Sequence, residues 1–121
     1  MMASNPANLA LRFLLELAAW ASMGYWGWTQ HSGLGRFAWG IGLPLVAMAL
    51  WGVFRVPGDG GEPVVAVPGW VRLILEAVEF GDAVWLLHDA GRRPWATAMA
   101  VLLLIHYALS VDRIRWLLAQ R

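Results

Sequence analysis

Four apolar stretches, each about as long as a membrane-crossing helix, constrain the fold of this 121-residue chain more than any other feature. They cover roughly 9–28, 37–54, 70–88 and 95–116, and short breaks rich in Gly, Pro and polar residues separate them. A helix rises about 1.5 Å per residue, so about 20 apolar residues cross a hydrocarbon core of about 30 Å. The ten-residue alternation of membrane strands is missing. The pattern predicts an all-α, polytopic membrane protein: a four-transmembrane-helix bundle of two helical hairpins, with residues 1–121 forming a single domain.

Composition narrows the classes of function. The chain is 60% hydrophobic and 14% charged, whereas soluble domains are roughly 45–50% apolar and about 25% charged. A formal net charge of +1 does not indicate the basic surface that binds nucleic acid. Cysteine is absent, and no Walker loop, HExxH or GxSxG motif occurs. We therefore expect a non-enzymatic protein whose main partner is the lipid bilayer, with no nucleic-acid partner, catalytic residue, metal site or cofactor.

The placement of Arg and Trp predicts the orientation. With the amino terminus on the inner side, the arginines divide into an inner set of Arg12, Arg55, Arg72, Arg113, Arg115 and Arg121 and an outer set of Arg36, Arg92 and Arg93. The positive-inside rule then places both termini in the cytoplasm. Most tryptophans lie near span ends, as in an aromatic belt: Trp28, Trp39 and Trp95 on the outer side, and Trp51, Trp70 and Trp116 on the inner side.

A charged pair occurs twice with the same spacing. Arg12 and Glu16 lie in RFLLE, and Arg72 and Glu76 lie in RLILE. Residues four apart share one face of a helix, so each pair is predicted to form an ion pair. Each copy begins a two-helix hairpin, and an internal duplication is one interpretation of this pattern. Outside these blocks the two halves align poorly.

The inner halves of the helices are predicted to hold a polar cluster. Glu79 follows Glu76 by one helical turn, and the fourth helix returns His106 to the same layer as Glu16. The predicted ligand- or proton-binding residues are Glu16, Glu76, Glu79, His106, Arg12 and Arg72. Ionisable groups at such depth are costly unless paired, which makes them functional candidates. The alternative is a static network that holds the helices in register. In either case the acids require cations from other helices, or some of them are protonated.

Other positions receive structural interpretations. Pro44 lies inside the second stretch and should kink it. The remaining features are read as a solvated loop for Asp59 and Glu62, an exposed inner helix end for Asp112, Arg113 and Arg115, and close helix packing for Gly24, Gly27, Gly40 and Gly42.

The first span, NLALRFLLELAAWASMGYWGW, and the block GIGLPLVAMALWGVF in the second resemble the YrdB-like family of small bacterial membrane proteins, which share a domain of unknown function. The resemblance covers most of the chain and includes the R-x-x-x-E opening of the third helix. It implies four spans and a multi-pass location in the bacterial inner membrane, and it implies no activity. The matching positions are Arg12, Glu16, Pro44, Arg72 and Glu76. The segment DAVWLLHDAGRRP departs from the family pattern.

Two hypotheses for function follow. The first is a small transporter or ligand-binding protein that exchanges protons for a cationic or small polar solute, with Glu16 as the main exchange group, Glu76 and Glu79 assisting, and His106 tuning. Its size and intramembrane Glu are similar to small multidrug-resistance exporters, whose other motifs are missing. The second is a structural or accessory subunit that self-associates as a homo-oligomer, or packs in a larger membrane complex, through small-residue faces. An enzyme acting on lipid or quinone would need a nucleophile or redox group that the sequence lacks.

Overall fold

The computed structural model describes residues 2–59 and 61–121, and this part of the chain is almost entirely helical. The prediction of an all-α fold is confirmed. In chain order the helices are α1 (Pro6–Thr29), α2 (Leu34–Phe37), α3 (Leu43–Val53), α4 (Gly69–Asp89), α5 (Arg93–Leu109) and α6 (Val111–Ala119). A 3₁₀ turn (Met2–Ser4) precedes α1, and a π-helical segment (Ala38–Gly42) joins α2 to α3.

Helix α1 is central, because it packs against α3, α4 and α5. Its start is defined by Asn5, whose Oδ1 accepts a hydrogen bond from the Ala7 amide at 2.9 Å, and by Pro6 in the first turn. The apolar core between these helices consists of Leu15, Ala19, Met23, Ala47, Trp51, Phe80, Ala83, Leu86 and Met99. Trp51 belongs both to this core and to the charged cluster described below.

The expected distortion at Pro44 takes the form of a π-helical segment. Pro44 lies in the first turn of α3, and the five residues before the start of this helix are π-helical. Proline removes one N–H and crowds the carbonyl four residues earlier, and the widened turn accommodates both effects. Gly27 of α1 packs against this segment so closely that a Cβ there would collide with the Trp39 backbone. The small residues therefore bring α1 and the π-helical segment together, as expected for Gly27.

The connection between α3 and α4 contains two short strands that the sequence did not predict. Strands β1 (Phe54–Arg55) and β2 (Val65–Ala66) pair in parallel, with Phe54 opposite Val65. This pairing holds the two ends of the intervening loop side by side, so the described residues of the loop stay close to the end of the bundle.

The fourth apolar stretch is bent, whereas the sequence predicted one continuous helix over 95–116. Helix α5 ends at Leu109, and α6 leaves at 67° to it. Ser110 between them is buried and its Oγ accepts a hydrogen bond from Asn8 Nδ2 at 2.9 Å. Helix α6 then crosses the start of α4, where the Gly69 amide donates to the Gln120 carbonyl at 2.8 Å.

Among the residues that the structure describes, length and hydropathy identify one helical segment that could cross a membrane, Leu34–Val53. A second qualifies when the bent pair of α5 and α6 is taken as one span. Helix α4 carries six ionisable side chains: Arg72, Glu76, Glu79, Asp82, His88 and Asp89. This number is unusual for a membrane-spanning helix.

Candidate functional site

Glu76 forms the centre of a buried ion cluster. Its side chain is 1% exposed, and Arg72 Nε, one turn earlier on α4, donates to Oε2 at 3.0 Å. Arg12 of α1 contacts the same oxygen at 3.0 Å, and Tyr107 of α5 donates its hydroxyl to Oε1 at 2.7 Å. Arg113 of α6 donates at 2.8 Å to Oε2 and at 3.1 Å to Oε1. One carboxylate thus contacts side chains of four helices. Two of its arginines, Arg12 and Arg113, come from other helices, which is one of the two solutions predicted for the excess of acids.

Arg113 and Asp59 correct two sequence interpretations. Arg113 is only 12% exposed, whereas it was expected at an exposed helix end. Asp59, which was expected in a solvated loop, accepts two hydrogen bonds from this guanidinium, from Nη2 at 2.7 Å and from Nε at 3.1 Å. The sequence shows no signal for this pair, because the residues are 54 positions apart and each lies beside ordinary surface residues. Only the excess of acids over Arg72 on α4 indicated that another cation was needed.

Trp51 also corrects an interpretation, because it lies in the interior rather than in an aromatic belt. Its indole Nε1 donates to Glu16 Oε1 at 3.0 Å. The Arg72 guanidinium lies over the ring, 4.4 Å from its centroid, a geometry that favours a cation–π interaction. Arg12 Nε is 3.4 Å from the same Glu16 oxygen, which confirms the predicted ion pair of the first helix. Glu16 is therefore held by one cation and one indole, and its Oε2 takes part in neither bond.

The structure places Glu79 apart from the arginine cluster. Trp20 Nε1 donates to its Oε1 at 3.3 Å, and Oε2 is buried without a hydrogen-bond partner. Glu79 therefore shares the buried layer of Glu76 without sharing its arginines, although the sequence grouped the two acids together.

His106 lies near the cluster but does not contact the acids directly. Its Nδ1 is 2.9 Å from Asn8 Oδ1, and the amide nitrogen of Asn8 donates to Ser110. With this amide orientation, Nδ1 donates to Asn8 Oδ1. Nε2 is buried and without a partner. His106 thus belongs to an Asn8–Ser110 network that the sequence analysis did not identify.

A cavity of about 610 Å³ opens beside the cluster, at the end of the bundle predicted to face the cytoplasm. We call it the inner cavity. Its walls include Arg12, Glu16, Trp51, Arg55, Asp59, Arg72, His106, Asp112, Arg113 and Trp116. Its volume lies within the range of roughly 300–1,000 Å³ typical of small-molecule sites. Within the described residues, no group of His, Asp or Glu side chains is arranged to hold a metal ion.

Comparison with known proteins identifies the family. A family model described as "Protein of unknown function (DUF2568)" matches residues 10–104, and the chain belongs to this family. It is also 39% identical over 119 residues to the uncharacterized protein YrdB of Bacillus subtilis (strain 168), a match that covers 96% of this chain and 97% of that protein. The resemblance seen in the sequence blocks is thus confirmed. No solved structure matches the chain.

Proposed function

We propose that this protein is a small integral membrane protein of four spans that binds a small cationic or polar solute in the inner cavity. The four spans correspond to α1, the combined segment α2 to α3, α4, and the bent pair of α5 and α6. Both termini would face the cytoplasm of a bacterial cell, as the arginine distribution predicts. The protein would be non-enzymatic, and binding would be coupled to proton release from Glu16.

An inverted polarity supports the membrane location. Large apolar side chains such as Leu14 and Leu104 face outward, and Leu104 is 73% exposed. The most buried side chains include Glu76, His106 and Arg72. A soluble protein rarely exposes large contiguous apolar areas, because water contact with them is unfavourable. A hydrocarbon surrounding removes that penalty, while the interior pairs the charges that a bilayer would not tolerate singly.

Glu16 in the wall of the inner cavity is the observation that carries the solute-binding proposal. The charges of Arg72 and Arg113 are opposed by Glu76 and Asp59, so these cations are already neutralised inside the protein. Glu16 keeps one carboxylate oxygen outside its bonds to Arg12 and Trp51. A cationic group entering the cavity would meet this oxygen, and the protonated acid would lack the charge that attracts it.

The structural-subunit hypothesis is the less supported alternative. It relies on small residues to bind other membrane proteins, yet Gly24 and Gly27 already contact Gly40 and Trp39 within this chain. The cluster at Glu76 does fit a purely structural role. We therefore assign Glu76 to stabilisation and Glu16 to exchange, rather than treating both as exchange groups.

The experiment uses the full chain in a weakly buffered neutral detergent and tetraphenylphosphonium as the cationic probe. Binding is measured by equilibrium dialysis between pH 5 and 9, and proton release is followed with an indicator dye. We expect the wild-type protein to bind more tightly as pH rises and to release protons as the probe binds. Glu16→Gln should lose both the pH dependence and the proton release.

Glu62→Gln is the matched control, because Glu62 is exposed in the connection between α3 and α4 and lies outside the inner cavity. It should bind and release protons like the wild type. A folded Glu16→Gln protein, verified by circular dichroism, that retains wild-type binding across the whole pH range would overturn the proposal. So would a wild-type protein that binds no probe at any pH.

A further inference from the structure

A second concave surface lies at the opposite end of the bundle, between α1 and the α4–α5 hairpin. We call this surface the outer groove. It encloses about 530 Å³. The exposed Ala18 and Ala21 of α1 and Ala98 of α5 line it together with the buried Leu15, Ser22 and Met99. From Leu15 to Tyr25 it follows eleven residues of α1, which is a length of about 15 Å. Its lining is almost wholly apolar, so a hydrocarbon chain suits it in shape and polarity.

One arginine lies at the mouth of the groove and a second follows it in the chain, and neither has an acidic partner. Arg92 lines the groove beside Trp95, and Arg93 begins α5. Among residues 2–59 and 61–121, no ion pair joins either of them to a carboxylate. The nearby Asp89 instead accepts a hydrogen bond from Trp26 Nε1 at 2.8 Å. This end of the groove therefore carries positive charge that the protein does not neutralise.

Tyr25 orients the Arg92 guanidinium. Arg92 Nε donates to the Tyr25 hydroxyl oxygen at 2.8 Å, and the guanidinium carbon lies 5.5 Å from the centroid of the Tyr25 ring. This bond uses Nε and leaves the two terminal Nη nitrogens of Arg92 for another acceptor. Paired guanidinium nitrogens match the geometry of phosphate oxygens and bind them in a bidentate manner.

We propose that the outer groove binds one anionic phospholipid, with an acyl chain along Ala18, Ala21 and Ala98 and the phosphate at Arg92 and Arg93. The charge at the mouth selects the headgroup, and the apolar lining selects the chain. In the four-span arrangement proposed above, the arginines lie at the level of the lipid headgroups. Neither arginine contributes to the inner cavity, so this site is independent of solute binding.

The test is native mass spectrometry of the full chain, released from neutral detergent after equilibration with phosphatidylglycerol or phosphatidylcholine. We expect one phosphatidylglycerol bound in preference to phosphatidylcholine. A basic residue near the headgroups adds about 1 kcal/mol, so the double variant Arg92→Gln/Arg93→Gln should bind roughly 30-fold more weakly. Arg36→Gln removes a charge from the same side of the molecule outside the groove and should bind like the wild type.

Two further measurements separate the competing occupants. Ala98→Trp places a large side chain in the lining of the groove and should reduce retention of both lipids. An excess of inorganic phosphate should not displace phosphatidylglycerol, because free phosphate lacks the chain. Equal retention of the two lipids, unchanged retention by the double arginine variant, or displacement by inorganic phosphate would each refute the proposal. A dimer without bound lipid would also refute it, since a second copy of the chain would then occupy the groove.

Discussion

Glu76 and Glu79 are one turn apart on α4, yet Glu76 is bound by three arginines and Glu79 by none. In Glu76→Gln the amide keeps the volume and one acceptor oxygen but loses the negative charge. Arg12 would retain Glu16, and Arg113 would retain Asp59. Arg72 would keep only neutral partners, the carbonyls of Trp51 and Phe54 and the indole ring.

An uncompensated buried charge of this kind costs about 3–5 kcal/mol. Glu79→Gln changes far less, because Glu79 accepts one bond at 3.3 Å and has one buried oxygen without a partner. We expect its effect on the free energy of unfolding to lie within about 1 kcal/mol. The assay is reversible unfolding in mixed micelles with increasing dodecyl sulfate, followed by far-ultraviolet circular dichroism. Equal effects of the two substitutions, or a loss below about 1 kcal/mol for Glu76→Gln, would refute the assignment of Glu76 as the common counterion.

The same unfolding assay tests two further contacts. Gly69→Ala should destabilise the protein by about 1–3 kcal/mol, because its Cβ would collide with the Leu117 backbone. On the same helix, the Cβ of Gly81→Ala meets nothing within 4 Å, so this control should be neutral or slightly stabilising. Similar losses for both variants would contradict the close crossing of α6. Arg113→Gln should lower stability by about 3 kcal/mol, and exposed Arg115→Gln by less than about 0.5 kcal/mol. A result in which Arg115 matters as much as Arg113 would contradict the burial of Arg113.

The sequence predicted the features that depend on local pattern. Apolar stretches and breaks identified the helical segments, and the four-residue spacing identified the Arg12–Glu16 and Arg72–Glu76 contacts. It missed what depends on tertiary structure. The position of Trp51 along its helix resembled a belt residue, because position along the axis does not reveal which face packs inward.

The partnership of Arg113 with Asp59 was missed for a related reason. It requires both the bend at Ser110 and the return of the β1–β2 loop, and neither leaves a period in the sequence. His106 was predicted in the same layer as Glu16, since helix rise fixes position along the axis, and both line the inner cavity. Its partner Asn8 comes from a turn of α1 that carries no charge. Position along the helix axis was therefore predictable, and specific partners were not.

The repeated Arg–Glu pair has a consequence for biosynthesis. In the proposed bilayer, α1 and α4 would enter before the carboxyl-terminal helices are made, and each would carry a neutralising partner one turn away. The finished protein redistributes these charges, since Glu76 acquires Arg12 and then Arg113. Only a chain completed through α6 reaches that state. A truncated product would keep only its local Arg–Glu pairs and would lack the cation from α6, so proteases that remove unfinished membrane proteins would distinguish it from the complete chain.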